Sequence, residues 1–283
     1  MPTKWNKTDI YFFGMKVGIS SILKENYLIG LKQLFYPVGY WRCPVFAVAS
    51  ETIGNGRKKV LDIGSPKLLS LYLSLIRGHD VYATDLQDQL IYDRYYKHYN
   101  DYVFKRRGGG NYIVEYQDAR ELHYPDNYFD YVYSISVIEH IPEDGDSVAM
   151  QEIRRVLKPG GVAFIEVPFA MVEHDTFVEE SVYDRKYAKK PVFFERHYDE
   201  SSISKRLIKP SEMELIKKLI TAERLPFEKY FEKIPVFLKS SLLWTEAIFS
   251  FLNHYLLEDC EMDKLGFSKS SAMSIILILE KLQ

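Results

Sequence analysis

The segment Val60-Leu61-Asp62-Ile63-Gly64-Ser65-Pro66, echoed further on by Val81-Tyr82-Ala83-Thr84-Asp85, constrains this chain more than any other feature. A short apolar run closing on Asp and Gly, then a helical pattern, then a second apolar run closing on Asp, reads as a nucleotide-binding βαβ unit. The unit demands a parallel pair of strands with a ligand beyond their carboxyl ends.

The rest of the chain extends that unit. Strand one covers 59–63, and the stretch 67–77 carries apolar residues at 68, 69, 72, 75 and 76, a helical stripe ended by Gly78. Strand two covers 81–83, an aromatic-faced helix 87–104, strand three 112–116 and strand four 129–134. Asp146 or Ser147 then caps a helix that places Ala149, Ile153, Val156 and Leu157 on one face. Lys158-Pro159-Gly160-Gly161 ends it, and 162–167 is strand five. Beyond this point 211–223 reads as a helix, 227–234 as a sixth strand and 274–279 as the last. The alternation predicts an α/β, doubly wound, mostly parallel sheet with helices on both faces.

Residues 1–56 read as an N-terminal appendage that covers the ligand site, with a helix over 19–35 and the aromatic segment Tyr36 to Arg42. Gly54-Asn55-Gly56 marks the start of the main domain, 57–283, which carries helical or irregular lid or cap insertions at about 169–210 and 235–265.

Composition narrows the partners. With 283 residues and 47 % apolar content, the chain can bury a sizeable core. Its 37 basic and 39 acidic residues give a net charge of −2, which does not suit a polyanion, so nucleic acid is not expected as a partner. Cys43 and Cys260 lie far apart without metal-ligand spacing, which fits a reducing compartment and a cytoplasmic protein. No secretory signal is evident, and the apolar stretch Ile234 to Leu257 carries Lys239, Glu246 and His254, too polar for a stable membrane span.

Asp62, Gly64, Ser65, Asp85, Asp118 and Ser134 all fall at or just after strand ends. A side chain at Gly64 would block close approach of the backbone to a ligand. Asp85 is placed to accept hydrogen bonds from both hydroxyls of a ribose, although a single Asp after a strand also serves as a helix cap. Gly64-Ser65-Pro66-Lys67-Leu68-Leu69 lacks the later glycines of G-x-G-x-x-G, and Pro66 offers no amide hydrogen to a pyrophosphate. A nucleoside without a diphosphate therefore suits the loop better than a nicotinamide dinucleotide does.

Six segments then occur in order: Val60 to Gly64, Ala83-Thr84-Asp85, Gln117-Asp118-Ala119, Phe129 to Val132, Val137-Ile138-Glu139-His140-Ile141 and Arg155 to Gly161. In this order and spacing the chain resembles class I, Rossmann-like, S-adenosylmethionine-dependent methyltransferases, in the branch that modifies oxygen or carbon of small molecules. The resemblance covers about 57–168 and implies seven strands with an antiparallel last one. It implies S-adenosylmethionine as cofactor, held by Asp62, Gly64, Ser65, Asp85, Leu86, Asp118, Ala119 and Ser134. The departure from the family pattern is Ser65-Pro66, where a second glycine is usual.

The implied activity is methyl transfer to oxygen, or carbon, of a small or medium-sized acceptor that is lipid-like in one reading. A silent S-adenosylmethionine-binding or partner-binding protein is the alternative, and a nicotinamide-dependent oxidoreductase the third. If the acceptor must lose a proton, His140 is the candidate base and Glu139 its orienter; a helix-start residue bonded to the backbone is the other reading of His140. Arg42 can meet the methionine carboxylate, or serve with Tyr36, Tyr40 and Trp41 as an aromatic staple. Small-RNA 2′-O-methyltransferases and some ubiquinone-pathway enzymes have a similar segment, with an acidic residue three positions before the Glu. Here that residue is Ser136, a poor ligand for a hard cation, so no metal is expected. His174, in the expected lid, is a further candidate for base.

Overall fold

The computed structural model describes residues 7–23, 27–64, 68–86, 109–180, 187–223, 254–258 and 272–283, with 225, 233–235, 242 and 245. Three helices open the chain: α1 (Lys7–Leu23), α2 (Tyr27–Phe35) and α3 (Arg42–Ile53). The helix expected over 19–35 is thus divided, because Lys24-Glu25-Asn26 offers no apolar residue to continue a buried face. Helix α3 was concealed in the sequence by Pro44. The proline sits in the first turn, where its missing N–H would have no helical partner anyway.

The central sheet has eight strands in the order β3-β2-β1-β4-β5-β10-β8-β9. Its parallel half consists of β1 (Lys59–Ile63), β2 (Asp80–Asp85), β3 (Tyr112–Tyr116), β4 (Phe129–Ile135) and β5 (Leu157–Pro168). Helix α4 (Leu68–Leu75) links β1 to β2, and α5 (Gly145–Val156) leads into β5. The last strand, β10 (Ala272–Glu280), pairs antiparallel with β5 and with β8 (Glu214–Glu223). The seven expected strand positions are filled, and β9 (His254–Leu257) adds an eighth at the edge.

One segment changes type. Residues 211–223, read as a helix, contain strand β8, which takes the sheet position expected for 227–234; residues 226–232 lie outside the described residues. Leu215, Leu219 and Ala222 mimic a helical stripe, but Leu219, Ile220, Thr221 and Ala222 are buried in succession. A strand covered on both faces is continuously apolar, and pairing with β10 and β9 decides the outcome. The helix expected over 87–104 also lies outside the described residues.

Successive strand residues point to opposite faces and build two cores. Leu61, Ile63, Val132, Ile165, Ile275 and Leu277 face α5, with its Ala149, Met150, Ile153 and Val156. Val60, Val81, Tyr133, Phe164, Ile276 and Ile278 face α1, α3 and α4. Helix α3 therefore packs directly on the sheet, with Val45, Phe46, Val48 and Ala49 in that second core. Among the described residues no helix is long and apolar enough to cross a membrane.

The first cap insertion is a β-hairpin where helical or irregular structure was expected: β6 (His174–Glu180) pairs antiparallel with β7 (Tyr187–His197). The β-branched and aromatic run Val192-Phe193-Phe194 suits a strand. A helical run, α6 (200–211), follows and contains a π-helical segment at Ile203–Ile208. The cap is fastened by Asp146, which is fully buried in the first turn of α5. Asp146 Oδ2 accepts from Arg196 Nη1 at 2.9 Å, Tyr198 Oη at 2.8 Å and Arg206 Nε at 2.8 Å, and Oδ1 accepts from Arg206 Nη2 at 2.8 Å. One carboxylate thus joins β7, the residue after it and α6 to the main domain.

Candidate active site

Two cavities open at the carboxyl ends of the parallel strands. The first, of about 210 Å³, is lined by Gly64, Thr84, Asp85, Leu86, Gln117, Asp118, Ala119, Val137 and His140, among others. It is the crevice that the strand order β3-β2-β1-β4 creates beyond the ends of β1, β2 and β3. Gly64 has φ +78°, a left-handed value that strains any residue with a Cβ, and a Cβ there would collide with the side chain of Val137. Its amide donates to Thr84 O at 2.8 Å, so the turn is held against β2 where it lines the crevice, with Val137 filling the space a side chain would need.

Gly64, Asp85, Leu86, Asp118 and Ala119, singled out from the sequence, are brought together here. The Asp118 carboxylate is engaged by Arg120, whose Nε and Nη2 donate to it at 3.0 Å and 2.6 Å; that hydrogen bonding holds its pKa below the ordinary range. Asp62 and Ser134 are fully buried in the sheet and line neither cavity. Asp62 accepts a hydrogen bond from Ser70, tying the end of β1 to α4. Ser65 lies outside the described residues.

The second cavity, of about 310 Å³, lies beyond β4, β5 and β10 and includes Arg42, Glu139, His140, Glu166, Phe194, Glu195, Thr221 and Ser274 in its wall. His140 lines both cavities. It sits on a single 3-10 turn (Ile138–His140) after β4, and its Nδ1 lies 2.7 Å from the carbonyl of Phe194 on β7. A carbonyl only accepts, so Nδ1 carries the proton and the lone pair is on Nε2. Nε2 lies 3.8 Å from Glu139 Oε1 and 3.8 Å from Glu195 Oε2, too far for hydrogen bonds.

Glu139 is 1 % exposed, and neither of its carboxylate oxygens has a hydrogen-bond partner. Burial first, and the neighbouring Glu166 second, push its pKa well above the ordinary range, opposed weakly by its own backbone amide and the Ser136 hydroxyl. Glu166 is raised by burial too, opposed by Ser274, Ser136 and Arg42; Ser136 Oγ donates to its Oε2 at 2.9 Å. Arg42 lies with this acidic group rather than in the first cavity. Tyr40 donates to Glu223 Oε2 at 3.1 Å, which fixes the aromatic segment to β8. His174 is exposed at the start of the hairpin and stacks on His197 at 4.7 Å, outside both cavities.

Glu166 and Glu195 were not singled out from the sequence. Glu166 had a signal, a lone acid inside the apolar strand Val162 to Val167. Glu195 had none, because only the hairpin brings β7 against His140.

Residues 61–165 match the family model described as a methyltransferase domain. The 27-O-demethylrifamycin SV methyltransferase of Amycolatopsis mediterranei (strain S699) is 30 % identical over 89 residues, 31 % of each chain. The chain thus spans about a third of the length of that curated relative. Among solved structures, the [4+2]-cyclase SpnF is 16 % identical with a TM-score of 0.52, covering 86 % of this chain and 87 % of its own. The Burkholderia thailandensis 1,6-didemethyltoxoflavin-N1-methyltransferase, solved with its substrate and S-adenosylhomocysteine, is 15 % identical with a TM-score of 0.50, covering 95 % and 89 %. Both likenesses are of fold alone. Residues 61–165, from β1 to β5, are thus similar to a methyltransferase domain, and the chain shares the fold of these two structures.

Proposed function

We propose that the protein moves the methyl group of S-adenosylmethionine to an oxygen of a small or medium-sized acceptor seated in the second cavity. The observation that carries this reading is the position of His140, which lines both cavities and so stands between a nucleoside site and an acceptor site. The cofactor supplies an electrophilic methyl on a sulfonium. The left-handed turn at Gly64 lines the first cavity with backbone and fits that group, and Asp85 is the carboxylate for its ribose. The protein's remaining tasks are to align the acceptor, exclude water and activate a hydroxyl. Arg42, Glu166, Thr221 and Ser274 supply polar contacts for alignment, Trp41 and Phe194 supply apolar walls, and the Nε2 lone pair of His140 activates the acceptor.

The test uses isotope-labelled S-adenosylmethionine with aqueous and lipid fractions of a cell extract, which also resolves the polarity of the acceptor. His140→Ala is expected to bind S-adenosylhomocysteine as the parent does and to lose about 100-fold or more in turnover. Full turnover in that variant would remove His140 from the reaction. Cofactor binding with no labelled product from any fraction would favour the silent binder.

A further inference from the structure

Glu139, His140 and Glu195 each offer one ligand atom, and these atoms lie within 4.8 Å of one another. Acidic clusters are common, but here one member is 1 % exposed and neither of its oxygens is in a hydrogen bond of normal geometry, the Ser136 hydroxyl and its own amide interacting only weakly with it. A buried carboxylate left without donors is costly unless a proton or a cation accompanies it.

Three further features favour the cation. The Nδ1 proton of His140 is held by the Phe194 carbonyl, the arrangement that fixes a ligating imidazole with its other nitrogen turned to the ion. Glu195 is held in the same manner: its Oε1 accepts from His197 Nε2 at 2.9 Å, which leaves Oε2 toward His140. The spacings of 3.8 Å from Nε2 to each carboxylate oxygen exceed a hydrogen bond and are about 0.5 Å longer than the ~3.3 Å between neighbouring ligands of a tetrahedral ion, so a small shift of each side chain closes them onto one ion.

We propose that Glu139, His140 and Glu195 bind a divalent transition-metal cation in the wall of the acceptor cavity. One imidazole nitrogen and two carboxylate oxygens suit an ion such as Mn²⁺ or Zn²⁺ better than Ca²⁺. Three protein ligands leave coordination positions open, as in catalytic rather than structural sites. The missing acid at Ser136 does not prevent this, because β7 supplies Glu195 in its place. The site stands on these residues alone. With the ion bound the Nε2 lone pair is taken up in coordination, so His140 acts through the metal, which draws an acceptor hydroxyl to itself and makes it more acidic, and not as a direct base. Only that role rests on the methyl-transfer reading.

The chelator-treated full chain is titrated with Mn²⁺, followed by electron paramagnetic resonance and calorimetry, and separately with S-adenosylhomocysteine. Saturable Mn²⁺ binding is expected, weakened about 100-fold or more in Glu195→Gln and in Glu139→Gln while S-adenosylhomocysteine binding is unchanged. Zn²⁺ should compete for the same site. Circular dichroism confirms that each variant is folded, and Glu195→Gln, in the cap, tests the site even if Glu139→Gln is not. No saturable binding, or binding indifferent to both substitutions, would overturn the cation site. Failure of S-adenosylhomocysteine to bind would instead count against the methyl-transfer reading.

Discussion

Alanine at position 64 should weaken S-adenosylhomocysteine binding by about 100-fold, because the free turn relaxes away from the strained geometry and binding must restore it, each tenfold being about 1.4 kcal/mol. Two costs combine. The φ of +78° at Gly64 is disfavoured for any L-residue by about 1–2 kcal/mol. The new Cβ also overlaps the Val137 side chain, an overpacking that typically costs about 1–3 kcal/mol. Both fall on the turn after β1, where the first cavity needs its backbone uncovered. Relief is not available from β2, because the Gly64 amide is bonded to Thr84 O. The double variant Gly64→Ala/Val137→Ala should regain part of the affinity, since it removes the collision and keeps the backbone strain. Calorimetry reads both. Parental affinity in Gly64→Ala would show that this turn does not shape the site.

Asp146→Ala should destabilise the folded chain by about 3–5 kcal/mol, read from urea unfolding. The carboxylate is fully buried and accepts hydrogen bonds from two guanidiniums and a tyrosine hydroxyl. Its loss leaves the buried Arg196 and the largely buried Arg206 without that counter-charge, although Arg196 keeps its bond to Asp175 at 3.0 Å. Removing one member of such a network costs more than the network contributes, because the survivors are left desolvated. Asp146→Asn, which keeps two accepting lone pairs on one oxygen, should cost less. Since Arg196 neighbours Glu195 on β7, the alanine variant should also loosen the wall of the acceptor cavity and reduce turnover. A loss below about 1 kcal/mol would show that the cap is fastened elsewhere.

The reach of the sequence follows the range of the interactions. Strands β1, β2, β4 and β5 were legible because a parallel strand covered by helices is a short apolar run closed by a turn or a polar residue, and the edge strand β3 by its β-branched and aromatic residues after the glycines. The first cavity was legible for the same reason: Gly64, Asp85, Leu86, Asp118 and Ala119 stand at strand ends, and the order of parallel strands brings those ends together. Strand β8 was misread because its apolar spacing satisfies a helix as well as a covered strand, and only pairing with β10 distinguishes them. Helix α3 was hidden by a proline in its tolerant first turn. Asp62 and Ser134 were assigned by strand position, yet burial in the sheet keeps both out of the cavity walls. The second cavity was least legible. His140 and Glu139 announce themselves in one segment, but Glu166 comes from β5, Glu195 from a cap hairpin and Arg42 from α3. No local pattern encodes that meeting.

Calorimetric titration of the purified chain with S-adenosylhomocysteine, and in parallel with NAD, tests the central claim most directly. The loop after β1 and the carboxylate of Asp85 predict saturable binding of S-adenosylhomocysteine, its loss or strong weakening in Asp85→Ala, and no binding of NAD. Binding of NAD without S-adenosylhomocysteine, or an affinity for S-adenosylhomocysteine that is indifferent to Asp85→Ala, would contradict it.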